Sequence, residues 1–210
     1  LQRWLGHQAG LVLEIGAGIG NLTRALVPRR KSYVATDIDQ EHLARLTTRF
    51  QQRPNLTTRY FDLTDRADFS ELTAKMDTVI CLNVLEHVED DLQGLRNIYA
   101  SLSAGGRAIV LVPHDQRVFG TIDVALGHYR RYTHAEQKKK MEETGFRVER
   151  IVDFNRISRY PWYISGRILK KKSLSVGQMK LFDRFVWLWR KIDGSLPWPP
   201  TSIIGIGVKP

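Results

Sequence analysis

Five short apolar runs, separated by stretches with helical spacing, constrain this chain more than any other feature. LVLEI (Leu11–Ile15), SYVAT (Ser32–Thr36), LTTRYF (Leu56–Phe61), DTVICL (Asp77–Leu82) and RAIVLV (Arg107–Val112) each read as a buried strand. Between them, NLTRALV repeats Leu22, Ala25 and Leu26 at helical spacing and stops at Pro28, while EHLARLTTRF sets Leu43, Leu46 and Phe50 on one face. FSELTAK reads as a short helix, and DLQGLRNIYASL as a helix stopped by SAGG. Alternation of this kind implies a parallel sheet covered on both faces. With right-handed crossovers the fold class is α/β, a Rossmann-like doubly wound sheet. Such sheets bind ligands at the carboxyl ends of their strands, so every loop after a strand is a candidate for function.

The remainder extends this pattern. Thr133 opens a helix with T-H-A-E, a capping box in which Glu136 reaches back to the N-cap, and the helix runs to Thr144 before Gly145. FRVERIVDF is a sixth strand and TSIIGIGV a seventh, with an insertion between them from Asn155 to Pro200. The 210 residues suit one domain over 1–210, with 113–132 and 155–200 as elaborations.

Composition narrows the class. The single cysteine, Cys81, precludes an internal disulfide and, lying in an apolar run, is expected to be buried and inert. That fits a reducing, cytoplasmic setting. No apolar run is long enough to span a bilayer, and no signal peptide is visible. The chain begins at Leu1 rather than Met, as a domain taken from a longer polypeptide would. The net charge of +10 is compatible with nucleic acid, an anionic membrane or an acidic substrate, or with solubility alone. Its basic residues are spread along the chain, which weakens the nucleic-acid reading.

The strand ends carry the chemistry. EIGAGIG (Glu14–Gly20) follows the first strand, and its glycines let backbone approach a ligand at a helix N-terminus. Its spacing is G-x-G-x-G followed by Asn21, not the G-x-G-x-x-G of a dinucleotide site. Asp37 ends the second strand, where a carboxylate can accept from both ribose hydroxyls, while Asp39 suits the following N-cap. Asp62 ends the third strand, either receiving an exocyclic amine or closing a turn. Asn83 ends the fourth.

Taken in order, these segments resemble the class I S-adenosylmethionine-dependent methyltransferases. LEIGAGIG, TDID, FDLTD, DTVICLNVLEHV and LSAGGRAIVLVP follow the order of that family's motifs from about Leu11 to Val112. The resemblance implies seven strands, with strands 1–5 and 6 parallel and an antiparallel strand 7 beside strand 5. It implies S-adenosyl-L-methionine as cofactor and S-adenosyl-L-homocysteine as product. Gly16, Ala17, Gly18, Gly20 and Asn21 would face the methionine part, with Glu14 orienting the loop and the cofactor's amino group. Asp37 would hold the ribose, Ile38 would lie against the adenine, Asp62 and Leu63 would flank its edge, and Asn83 would sit under the methionine segment. Only Leu1–Gly10 precedes the first strand, so the family's N-terminal helix over the cofactor is expected to be missing or truncated.

Methyl transfer to a hydroxyl also needs a destination for a proton. Candidates are Glu86 and His87 after strand 4, His114 and Asp115 after strand 5, and His128 in GHYRRYT (Gly127–Thr133). His87 and His128 are taken as catalytic. Glu86, His114, Tyr129, Arg130 and Arg131 are taken to bind the acceptor, the arginines by gripping an anion or by tying the loop to Asp115 or Asp123. LEH also resembles part of a metal-binding motif of some small-RNA 2′-O-methyltransferases. Those carry Glu where this chain has Asn83, so no metal is expected. In MKLFDRFVWLWRKI, Leu181, Phe185, Leu188 and Trp189 recur at helical spacing, implying a helix packed on the domain or a peripheral contact with the inner face of a membrane.

GHYRRYT, the preceding ID and the aromatic tail resemble bacterial methyltransferase-domain proteins, some joined to glycosyltransferases. The expected function is O-methylation of a small molecule or glycan. The alternatives are an RNA or tRNA methyltransferase and a non-catalytic cofactor-binding or interaction module.

Overall fold

The structure, a computed structural model, describes residues 10–173 and 175–210. The N-terminal helix discussed above would fall on residues outside that range. Seven strands form one sheet: β1 (Leu11–Ile15), β2 (Ser32–Asp37), β3 (Leu56–Tyr60), β4 (Met76–Leu82), β5 (Leu102–Pro113), β6 (Arg147–Phe154) and β7 (Ser202–Val208). Their order is β3-β2-β1-β4-β5-β7-β6. β1 to β5 pair in parallel, and β7 runs antiparallel to both β5 and β6. The order reverses between β1 and β4, which opens a crevice at the carboxyl edge there.

Successive side chains on a strand face opposite sides. Leu13 and Ile15 accordingly join a core with Leu95, Ile98 and Met141, while Val12 joins another with Leu26, Leu43 and Leu46. The helices supplying these cores are α1 (Asn21–Leu26), α2 (Gln40–Phe50), α3 (Arg66–Phe69), α4 (Asp91–Ser101) and α6 (His134–Glu143), while α5 (Thr121–Leu126) buries Ile122 outside both. Their starts are chemically marked: Asp39 accepts from the Glu41 and His42 amides, and Thr133 with Glu136 forms the expected capping box. Cys81 is buried.

Three expectations are corrected. β5 begins at Leu102, because Leu102 pairs with Met76 and the SAGG turn is absorbed as an irregularity in the strand. Helix α5 was not anticipated; it is short, and Gly120 offers no capping side chain, only its amide to Asp123. The aromatic tail is not one helix. α7 (Arg159–Tyr163) runs into a π-helical turn, Ile164–Ile168, and is followed by α8 (Val176–Arg184) and α9 (Val186–Ile192), which break at Phe185. No residue of α9 is buried, and Leu181 and Trp187 are 62% and 61% exposed.

Candidate active site

The glycine loop is shaped by backbone that only glycine tolerates well. Gly16 has φ +71°, and a Cβ there would lie 2.2 Å from Val84 Cγ2. Gly18 has φ +55°, yet a Cβ would meet nothing within 4 Å, so here the loop opens outward. The loop is held from beside it. Asp37 Oδ2 accepts the Gly18 amide at 2.7 Å, and Oδ1 accepts the Asp39 amide at 2.9 Å. A carboxylate has about four acceptor positions, so these bonds leave capacity for a ligand's hydroxyls. Ile38 is 59% exposed beside it.

Glu14 is buried under this loop. Its Oε2 accepts from the hydroxyls of Thr23 (2.6 Å) and Tyr33 (2.8 Å), and burial pushes its pKa up to about 6. It ties β1 to α1 and β2. Asp62 Oδ1 accepts from the amide and hydroxyl of Thr64, closing a turn. The Leu63 side chain lies in the core, against Gly94, so its side chain does not edge the nucleotide site.

Beyond β4 the chain turns through Leu85–His87. Asn83, at φ +54°, is exposed where β4 ends. Glu86 is 1% exposed; its Oε2 has no hydrogen-bond partner among the described residues, and burial raises its pKa to about 8. His128 Nδ1 lies 3.0 Å from Asp123 Oδ1. Burial pushes Asp123 upward, but the His128 hydrogen bond and the Arg131 charge outweigh it, holding the carboxyl below its usual range. Ionised Asp123 makes Nδ1 the donor of this pair, so in a neutral ring the lone pair is on Nε2. The His87 ring stands edge-on to His128 at 4.7 Å, and its partial burial and this neighbour keep it below the usual imidazole range.

These groups floor a cavity of about 640 Å³ at the carboxyl edge. Asn83, Glu86, His87, His128 and Arg131 line it from below. Phe154 at the end of β6, Pro161 and Trp162 of α7, and Met179 and Phe182 of α8 are its apolar walls.

Residues 13–108 match the family model described as a methyltransferase domain. The ubiquinone biosynthesis O-methyltransferase of Pseudomonas aeruginosa is 30% identical over 111 residues, covering 51% of this chain and 47% of that protein. The chain thus spans about half the length of the curated relatives it matches. An S-adenosylmethionine-dependent methyltransferase from Mesorhizobium loti superposes with a TM-score of 0.68 at 15% identity, over 99% of this chain and 95% of its own. The YcgJ protein from Bacillus subtilis gives 0.66 at 16%, over 96% and 93%. At such identities the structures attest the fold. Residues 13–108 thus match a methyltransferase domain, carried on the same fold as these structures. The open glycine loop, with the helix α1 amides behind it and the Asp37 carboxylate beside it, is a cradle that fits the cofactor of such a domain.

The sequence-read acceptor residues separate into two groups. Glu86, His87, His128 and Arg131 meet at the cavity, while His114, Tyr129 and Arg130 do not line it. His114 Nδ1 lies 2.8 Å from the Tyr132 carbonyl. Arg130 reaches away to Asp91 at 2.9 Å and to the Glu89 carbonyl, and Tyr129 is exposed with Arg130 over its ring. Asp115 is bound by Arg117 and Arg159, whose hydrogen bonds overcome burial and hold it well below the usual carboxylate range. Arg131 lines the cavity, but its guanidinium is paired with Asp123 at 2.8 Å and lies 5.3 Å from the Trp162 ring centre. It therefore serves as the tie to Asp123, not as an open anion grip. Sequence reasoning did not single out Asp123 as the partner of His128, nor Trp162, whose Nε1 donates to Asp123 Oδ2. The five-residue spacing from Asp123 to His128 had no helical assignment to give it meaning.

Proposed function

We propose that the protein transfers the methyl group of S-adenosylmethionine to a hydroxyl of a small, largely apolar acceptor held in the 640 Å³ cavity. The Asp123–His128 pair carries this reading. A histidine fixed by a buried carboxylate, with its second nitrogen left for a cavity at the carboxyl edge, is arranged to take a hydroxyl proton. Bound at the glycine loop, the cofactor supplies an electrophilic methyl on a sulfonium, and its departing thioether is neutral and needs no proton. Asn83 would sit between loop and cavity. Asp123 keeps Nδ1 protonated, Arg131 holds Asp123 ionised, and His128 Nε2 accepts the acceptor's proton.

The walls support an apolar acceptor, and Arg131, being paired, offers little to a carboxylate or phosphate. The name of the P. aeruginosa relative is consistent with oxygen as the accepting atom. Peripheral contact with an anionic membrane through 155–200 is part of the same proposal. Between positions 164 and 192 there are eight Lys or Arg and one Asp, alongside exposed Ile168, Leu169, Leu181 and Trp187. Among the described residues no helix is long and apolar enough to cross a membrane.

Transfer of labelled methyl to a panel of phenols, glycans, lipid extracts and tRNA tests the proposal. Labelling of a neutral hydroxyl compound, lost in Asp123→Asn, is the expected result. Labelling of tRNA alone overturns the acceptor class.

A further inference from the structure

The base described above needs one imidazole and one orienting carboxylate, and Asp123–His128 provides both. Glu86 and His87 are left over at the same place. Glu86 is almost completely buried, and its Oε2 has no partner among the described residues. A buried carboxyl oxygen without a partner calls for an explanation. One ligand atom each from Glu86, His87 and His128 lies within 4.8 Å of the others. The second ring nitrogen of His128 is bound to a carboxylate, the outer arrangement usual for metal-ligating histidine.

We propose that Glu86, His87 and His128 form a divalent metal site open to the cavity. Two imidazoles and one carboxylate suit a borderline cation such as Zn²⁺ or Co²⁺ better than Ca²⁺ or Mg²⁺, which prefer oxygen. Bond lengths of about 2.0–2.2 Å require ligand atoms closer together than 4.8 Å, so binding draws them inward. His87 is the exposed member of the three. Three protein ligands leave a coordination position for water or the acceptor's oxygen. With the cation bound, a ligated hydroxyl would be acidified and its proton would leave to water; His128 Nε2 takes the proton, as proposed above, when the site is free of metal. The catalytic part of this inference rests on the proposed acceptor cavity; cation binding does not.

Chelator-treated protein titrated with Co²⁺, followed by its visible absorption, and with Zn²⁺ by calorimetry, tests the site. One equivalent per chain is expected, bound at least about tenfold more weakly by Glu86→Gln and His87→Ala, with both variants melting as folded proteins. His134→Ala, which removes a histidine hydrogen-bonded to Asp153 elsewhere, is expected to bind as the wild type does. No saturable binding, or equal binding by wild type and Glu86→Gln, overturns the site. Methyl transfer that persists undiminished after chelation overturns its catalytic role while leaving the proposed methyl transfer standing. Cation binding without methyl transfer to any acceptor leaves the site standing and counts against the proposed function.

Discussion

At the scale of single residues, the carboxylates under the strand ends are the informative groups. Glu14 has its folded pKa raised to about 6 from 4.5 by burial. The stability it contributes is therefore fully present below pH 4.5 and lost as pH rises through 6. In Glu14→Gln that loss is absent, so its stability relative to wild type should rise by about 2 kcal/mol between pH 4.5 and 7.5 in urea melts. Gly16 and Gly18 should differ as well. Alanine at either position bears left-handed backbone strain, but at Gly16 it also meets Val84 at 2.2 Å and should lower the melting temperature more, whereas at Gly18 it has open space and should act mainly on cofactor affinity. Calorimetry with S-adenosylhomocysteine, read beside the melts, separates the two. The sequence placed Asp37, Gly18 and Asn83 correctly at the strand ends. It could not say that Leu63 turns inward, which follows from packing against Gly94 of α4, whereas the turn that Asp62 closes with Thr64 is local and was one of its two readings.

At the scale of elements, GHYRRYT works as a clamp. Asp91, at the start of α4, receives Arg130, the Tyr132 hydroxyl and Lys140 of α6. Arg131 secures α5 through Asp123, and the Tyr129 amide holds the Glu86 carbonyl at 2.8 Å. The density of Tyr and Arg thus fixes the loop so that His128 stands in the cavity floor. Asp91 is 3% exposed, so Asp91→Ala strands two cations and a phenol and should cost about 3 kcal/mol in chemical denaturation. A smaller effect, near that of a surface pair, would mean the clamp is dispensable. The capping boxes and strands were legible because their signals are local. α5 and the break at Phe185 were not, because each depends on what the element packs against.

At the scale of the molecule, the reversal between β1 and β4 gathers the glycine loop, the β4 turn, the GHYRRYT loop and the 155–200 insertion on one edge. The strand–helix alternation foretold that edge, and the antiparallel β7 matched the family resemblance. What the alternation could not supply was the outward face of α8 and α9. With Trp187 and Leu181 exposed among basic side chains, the protein should co-sediment with phosphatidylglycerol vesicles and less with phosphatidylcholine. Trp187→Ala and raised salt should both weaken that association. Equal binding to both lipids, or none, would argue against the membrane contact.

The central claim is that donor and acceptor are handled by separate groups on one edge: the glycine loop with Asp37, and His128 with Asp123. Labelled methyl transfer by His128→Ala, measured beside its affinity for the cofactor, tests it most directly. The account predicts a loss of about 100-fold or more in rate, with cofactor affinity nearly unchanged. Transfer at the wild-type rate, or a collapse of cofactor binding, would contradict it.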